Sequence, residues 1–255
     1  RLKKLQKEYG FVLLEDSCSA LVSSYLKPLW GDNDEEFVGS IGDMSSFSFY
    51  FGHQLSTIEG GMINTNDESY YYLLLMLRSH GWGKDLPKDI YKKLMDKYNI
   101  DTFHQPFTFF VPGFNLRSTD LQAFLGLKQL EKFEDIREKR CLNHLRYYDN
   151  LNKYFTLQQF NRETSVVSSI SVGVLADSED QREKIVRKLV KNDVETRLFS
   201  AGNLAKHPFW TDRFGDGEKR PMADRVHTTG FFLPNYPSLK EEEINFICDI
   251  VKSEL

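Results

Sequence analysis

The chain has 255 residues and a mass of 29.8 kDa, with 33 basic against 37 acidic side chains, 40% apolar and 14% aromatic. That is apolar material enough for one large domain or two modest ones, and a net charge of -4 supplies no basic face for nucleic acid phosphates. No apolar run approaches the ~20 residues that span a bilayer, and the widely spaced Cys18, Cys141 and Cys248 point to thiols in a reducing cytoplasm rather than to a disulfide framework.

Residues 1–10, RLKKLQKEYG, read as the end of a helix, with Leu2 and Leu5 on one face and Gly10 as its stop. Because the helix is already in progress at Arg1, the expectation is that an amino-terminal portion of a larger domain is missing. FVLLEDS follows as a short buried strand ending in two carboxylates, and a polar loop is expected over 27–43. Helix, glycine, apolar strand and polar tip are the marks of an α/β sheet, with chemistry at the carboxyl ends of its strands. MSSFSFYF is a second strand that alternates Phe47, Phe49 and Phe51 with Ser46, Ser48 and Tyr50. It leads through GHQLSTIEGG to a short strand at GMINTND and a helix at ESYYYLLLMLRSH.

Residues 82–116 read as irregular apart from a helical piece near IYKKLMDKY, since Pro106, Pro112 and Gly113 interrupt the aromatic stretch. One long helix is expected over about 119–152, opened by a Ser or Thr cap near Ser118 and carrying Leu121, Phe124, Leu125, Leu127, Leu130 and Phe133 as its apolar stripe. From about 165 the pattern alternates: strands at VVSSISVGVL, VETRLFS and FFLPNY, helices at DQREKIVRKLVKN, PMADRVHTTG and LKEEEINFICDIVKSEL. The reading is a large domain over 1–135 and a small α/β domain over 136–255, joined by the long helix.

G-x-G-x-x-G, Walker A, H-E-x-x-H and C-x-x-C are all absent, and no histidine pairs with another His or Cys at metal-ligand spacing. No metal site is therefore expected. Three segments stand out. Asp16 lies at the carboxyl end of a strand, where it is either a cap for the next element or the partner of a cation. His53 follows a strand and precedes a Gly-rich turn, where a histidine is either structural or a proton carrier. Asn115 and Arg117 lie in GFNLRSTDLQAFLGLKQL, in the loop feeding a helix N-terminus, a favourable place to meet an anion.

Together LLEDS, FSFYFGHQLSTIEGG, RSHGWGKDL and GFNLRSTDLQAFLGLKQL resemble, in order and over essentially the whole chain, the DegT/DnrJ/EryC1/StrS sugar aminotransferase family. The resemblance implies an α/β PLP-dependent transferase fold of the aspartate aminotransferase type I class. Its large domain has a mixed or parallel sheet, here without its N-terminal part, and its C-terminal domain is a small α/β one. Where the family carries the lysine that bonds pyridoxal 5'-phosphate, this sequence has His53, the mark of the family's sugar 3-dehydratases. The segment F-G-H-x-x-S-T-I-E-G-G is closest to the GDP-4-keto-6-deoxy-D-mannose 3-dehydratase branch. A second branch carries an iron–sulfur cluster on four cysteines; Cys18 falls where one of them lies, but 81–116 contain none, so no cluster is expected.

The resemblance implies pyridoxal or pyridoxamine 5'-phosphate held non-covalently, with His53 as catalytic base. Asp16 would meet the pyridine nitrogen, Ser48 the phosphate, and Asn115 the phosphate of a neighbouring subunit in a homodimer with shared active sites. Ser19 stands where relatives place a longer cofactor-contacting side chain. Glu59, Arg78, His80, Arg117 and Arg197 are candidates to meet a nucleotide-linked 4-keto-6-deoxy sugar, and glutamate is the expected amino donor. The alternatives are a nucleotide-sugar aminotransferase of the same family and a catalytically silent binding homologue. No nucleic acid or membrane partner is expected.

Overall fold

The computed structural model describes residues 1–26, 35–215 and 219–255. They gather into two compact units: Arg1–Cys18, Gly39–Phe51 and Leu55–Leu130 form the first, and Ser19–Val38, Gly52–Gln54 and Glu131–Leu255 the second. The units divide near residue 130, and the second reclaims two segments, 19–38 and 52–54, that the sequence reading assigned to the large domain.

Helix α1 (Leu2–Tyr9) ends on Gly10 in the left-handed conformation, φ 69°. Strand β1 (Leu14–Asp16) is shorter and more open than a buried strand, with Leu14 64% exposed. Strands β2 (Ser24–Leu26) and β3 (Glu35–Phe37) follow. Of the loop expected over 27–43, residues 27–34 lie outside the described residues, and 35–37 pair as a strand instead. Strand β4 (Met44–Ser48) and strand β5 (Gly61–Thr65) come next. Helix α2 (Glu68–Leu77) starts on Asp67, whose carboxylate accepts from the Ser69 and Tyr70 amides. Helix α3 (Lys88–Tyr98) closes on Asn99, φ 50°.

The single helix expected over 119–152 is two, α4 (Asp120–Leu130) and α5 (Phe133–Leu151). No Gly or Pro marks the break at 131–132; it falls where the chain passes from one unit to the other. The expected apolar stripe of α4 is not a core face among the described residues, since Leu121, Phe124, Leu127 and Leu130 are each more than half exposed. The remaining elements are β6 (Thr156–Leu157), β7 (Ser165–Val166), β8 (Ser171–Leu175), α6 (Glu179–Lys191) and β9 (Arg197–Leu198). After them come α7 (Pro208–Phe214), α8 (Pro221–Thr229), β10 (Gly230–Pro234) and α9 (Glu241–Lys252). Helix α7 is absent from the sequence reading because its seven residues, PFWTDRF, are too few and too aromatic to show a helical period.

In the first unit β1 pairs parallel to β4 and β4 antiparallel to β5, a mixed sheet in the order β1-β4-β5. In the second, β6-β8-β10-β9 form an antiparallel sheet and β3-β2-β7 a smaller one. The core of the second unit lies between the larger sheet and α5, α6 and α9, where Leu151, Val174, Ile185, Leu189, Leu233, Ile244 and Val251 retain no exposed surface. Helix α6 reaches it with an isoleucine and a leucine four apart, Ile185 and Leu189, and is capped by Ser178, which accepts from the Gln181 amide.

Leu189→Ala is expected to cost about 2–5 kcal/mol, by lost burial and the cavity left behind. Leu127→Ala, on the exposed face of α4, should stay within about 0.5 kcal/mol. Urea unfolding followed by circular dichroism measures both.

Candidate active site

The two carboxylates at the tip of β1 point to opposite faces of the strand and do different work. Glu15 is an anchor: its carboxylate accepts from the amides of Gly39 at 3.0 Å and Ile41 at 2.7 Å, and from that of Gly42. Those bonds fix the turn that feeds β4. Asp16 is exposed and caps no helix; its Oδ1 accepts from the Cys18 amide at 3.2 Å and the Ser46 hydroxyl at 3.4 Å. Bonds from the Cys18 thiol and the Cys18 amide hold the Asp16 carboxyl below the usual carboxylate range against the opposing effect of burial, with a lesser contribution from the Ser46 hydroxyl. The Cys18 thiol is pushed up, first by burial and then by Asp16, so it stays protonated at neutral pH.

The register pairs Asp16 with Ser46, and the two-residue period of β4 puts Ser48 on the same face. Ser48 Oγ accepts from the Tyr50 amide at 3.2 Å, which leaves the hydroxyl proton to donate elsewhere. Beyond it the chain closes a loop: the Phe49 amide donates to Gly60 O and the Thr57 amide to Phe49 O, each at 2.9 Å. Ile58 is held at φ 73°, an unfavourable conformation for a β-branched residue, with its amide on Ser56 Oγ. A Cβ on Gly60 would lie 2.3 Å from Thr57 Oγ1, so only glycine fits there. Backbone strain of this kind clusters at functional sites.

The E-G-G turn meets the start of α4. Gln122 Nε2 donates to Glu59 O at 2.6 Å, and Thr119 and Gln122 cap each other reciprocally at the helix N-terminus. Of the expected Ser or Thr cap, it is the Thr, Thr119, that fills the position. The Glu59 carboxylate itself is exposed. Residues 78–80 and 114–116 form a short ladder: Ser79 bridges Asn115, the His80 amide donates to Phe114 O, and the Leu116 amide to Arg78 O. This brings Arg78, His80, Asn115 and Arg117 together on exposed backbone at the mouth of α4. Arg78 also pairs with Asp85 at 3.2 Å.

The remaining candidates belong to the second unit. His53 sits on the Gly52–Gln54 segment and is partly buried. Burial lowers its pKa, and the Arg197 and Arg140 guanidinium groups lower it further, so the imidazole is neutral at pH 7. Gln54 is 3% exposed and its side-chain nitrogen donates to the carbonyls of Ser19 and Ser168, each at 2.8 Å. The Ser19 main chain is thus tied to Gln54, the next residue after His53. Arg197, exposed on β9, lies 5.4 Å from the centre of the Phe232 ring.

Residues 1–252 match the profile of the DegT/DnrJ/EryC1/StrS aminotransferase family. The chain belongs to that family. Among its relatives, GDP-4-keto-6-deoxy-D-mannose 3-dehydratase of Escherichia coli is 28% identical over 246 residues, covering 94% of this chain and 60% of the relative. GDP-perosamine synthase of Escherichia coli is also 28% identical, over 98% of this chain and 60% of the relative. Among solved structures, the Escherichia coli GDP-4-keto-6-deoxy-D-mannose 3-dehydratase with bound hydrated PLP superposes with a TM-score of 0.79 at 26% identity, over 98% of this chain and 62% of the other. The fold is thus the α/β PLP-dependent transferase fold of aspartate aminotransferase type I. The chain spans about 60% of the length of the relatives it matches. Among the described residues no group of His, Cys, Asp or Glu is arranged to hold a metal ion, and no helix is long and apolar enough to cross a membrane.

Gln54, Ser46 and Arg140 escaped the sequence reading. Arg140 had a signal: Ile136, Arg140, Asn143, His144, Tyr147 and Leu151 fall at helical spacing on one buried face of α5, an unusual number of polar residues for such a face.

Because its pKa is lowered, ionised Asp16 contributes stability above pH ~3.9, and that contribution is lost as pH falls through the lowered midpoint. A ¹³C carboxyl titration should show Asp16 still ionised below the ordinary aspartate range, and Cys18→Ala should move its midpoint back up.

Proposed function

We propose that this chain carries catalytic residues of a pyridoxal phosphate-dependent nucleotide-sugar 3-dehydratase, which removes the C3 hydroxyl of a 4-keto-6-deoxyhexose in deoxysugar and surface polysaccharide biosynthesis. The observation that carries this reading is His53, a neutral imidazole on the turn after β4, in a segment 44–61 that contains no lysine.

The residues present fit the cofactor. Asp16 stays ionised and open, as a partner for a protonated pyridine nitrogen must. Ser48 has a proton to give a phosphate oxygen, and the lack of lysine over 44–61 suits a group held without a covalent bond. When bound in its pyridoxamine form, the cofactor supplies an amine that condenses with a C4 ketone and a ring that accepts electrons.

Asp16 would keep a proton on the ring nitrogen by its charge, and its lowered pKa would keep it from taking that proton itself. His53 would act as the base, accepting on its unprotonated imidazole nitrogen a proton from the cofactor's C4′ carbon and passing it to the C3 hydroxyl, which leaves as water. Arg78, His80, Arg117 and Arg197 offer positive charge and donors for the nucleotide diphosphate, and Glu59 a carboxylate for a sugar hydroxyl. Asn115 would meet the phosphate of a neighbouring subunit, in a cytoplasmic homodimer with shared sites. Glutamate is the amino donor, and no iron–sulfur cluster takes part.

The second reading is a nucleotide-sugar aminotransferase, favoured by the 28% identity to GDP-perosamine synthase. With pyridoxal phosphate, glutamate and a GDP-4-keto-6-deoxy sugar, the full-length protein is expected to release ammonia and a 3-deoxy-4-keto sugar. His53→Asn should reduce that rate at least 10²-fold, the usual worth of a positioned general base. Borohydride should trap no lysine adduct. A trapped lysine, or an amino sugar as product, would favour the aminotransferase; no turnover of either kind would leave a silent homologue.

A further inference from the structure

Behind His53 lies a buried polar network that the proposed chemistry does not use directly. Arg140 of α5 is 6% exposed, and among the described residues its partners are main-chain carbonyls rather than carboxylates. Its Nη1 donates to Ser169 O at 3.3 Å, to Ile170 O at 3.5 Å and to Asn235 O. A buried guanidinium without a counter-ion is costly. Burial alone pushes its pKa down to about 10, so it remains charged at neutral pH.

The same turn is fixed from every side. Asn235, 1% exposed, donates to Ser169 O at 2.9 Å and to Arg140 O at 3.1 Å. His144 Nδ1 lies 2.8 Å from Ser169 Oγ, and the Ser168 amide donates to Ser23 Oγ at 3.0 Å. Ser168 O is in turn one of the two carbonyls that take the Gln54 side-chain protons. Gln54 spends both amide protons on backbone, Ser19 O and Ser168 O, next to His53 in the chain.

We propose that Gln54 and Arg140 are positioning residues for His53: Gln54 clamps the Gly52–Gln54 segment to the Ser168–Ile170 turn, and Arg140 holds that turn with an unneutralised buried charge. This rests on the reading of His53 as the base. The network makes two contributions: it keeps the imidazole half-buried, and it puts a fixed positive charge behind it. Arg140 on α5 and Arg197 on β9 both disfavour the imidazolium, in the same direction as burial and second to it. His144, also on α5, adds no charge at neutral pH, because burial pushes its pKa down to about 4. A base so held is ready to accept a proton without first losing one.

The test is a pH titration of the His53 ring signals by NMR on the chain with labelled histidine, without cofactor, the signals being assigned by their loss in His53→Asn. In the native chain His53 should titrate below the ordinary ~6.5. Gln54→Ala, which releases the clamp, and Arg140→Met, which removes the charge, should each raise the midpoint towards that value. Arg140→Lys should retain the low midpoint. Leu189→Ala, destabilising but with no hydrogen bond into the network, should leave it unmoved. An unchanged midpoint in folded Gln54→Ala and Arg140→Met overturns the proposal. Should Arg140→Met fail to fold, an unchanged midpoint in Gln54→Ala suffices to overturn it. None of these readings depends on ammonia release, so the proposal and the dehydratase reading fail separately.

Discussion

The parallel pairing of β1 with β4 is the contact on which the first unit depends. Three residues a side make a weak ladder, and Glu15 reinforces it by gathering the amides of Gly39, Ile41 and Gly42 onto one carboxylate. Bonds to a charged acceptor are stronger than bonds to a neutral one, so a single side chain fixes where β4 begins. The register then follows: Asp16 opposite Ser46, with Ser48 one pleat further on. Asp16 is left open while its neighbour in sequence does the structural work.

A comparable division holds in the second unit. Its sheet and the helices α5, α6 and α9 enclose an apolar core, while one face of α5 carries Arg140, Asn143 and His144 into a polar interior. Those groups are satisfied largely by backbone carbonyls of the 168–170 turn and of Asn235 and Tyr236. Interior charge and apolar core thus share a helix at different turns. His53, carried by a three-residue excursion into this unit, inherits its electrostatics from that arrangement rather than from the strand that precedes it.

Much was legible without coordinates. Helix α1 with its glycine stop, the helical piece at 88–98 and the alternation after residue 165 all follow from periodicity and punctuation, because each is a local property of spacing. The elements that went astray are those that tertiary context decides. Helices α4 and α5 carry one unbroken helical pattern, and only their allegiance to different units separates them. Strand β3 reads as an acidic loop because its partner, β2, is supplied from a segment the sequence does not mark as strand.

The sequence by itself determined the family, through four ordered motifs, since residue identity at a motif position needs no coordinates. It also placed Asp16 at a strand tip and Asn115 at a helix mouth. Only the tertiary structure decided which of two adjacent carboxylates is anchored and which is open, because a strand's faces are told apart by what packs on each. It alone showed that His53 is backed by a buried arginine 87 positions away in the chain. Electrostatic field and burial depend on distance in space, and no local pattern encodes that distance.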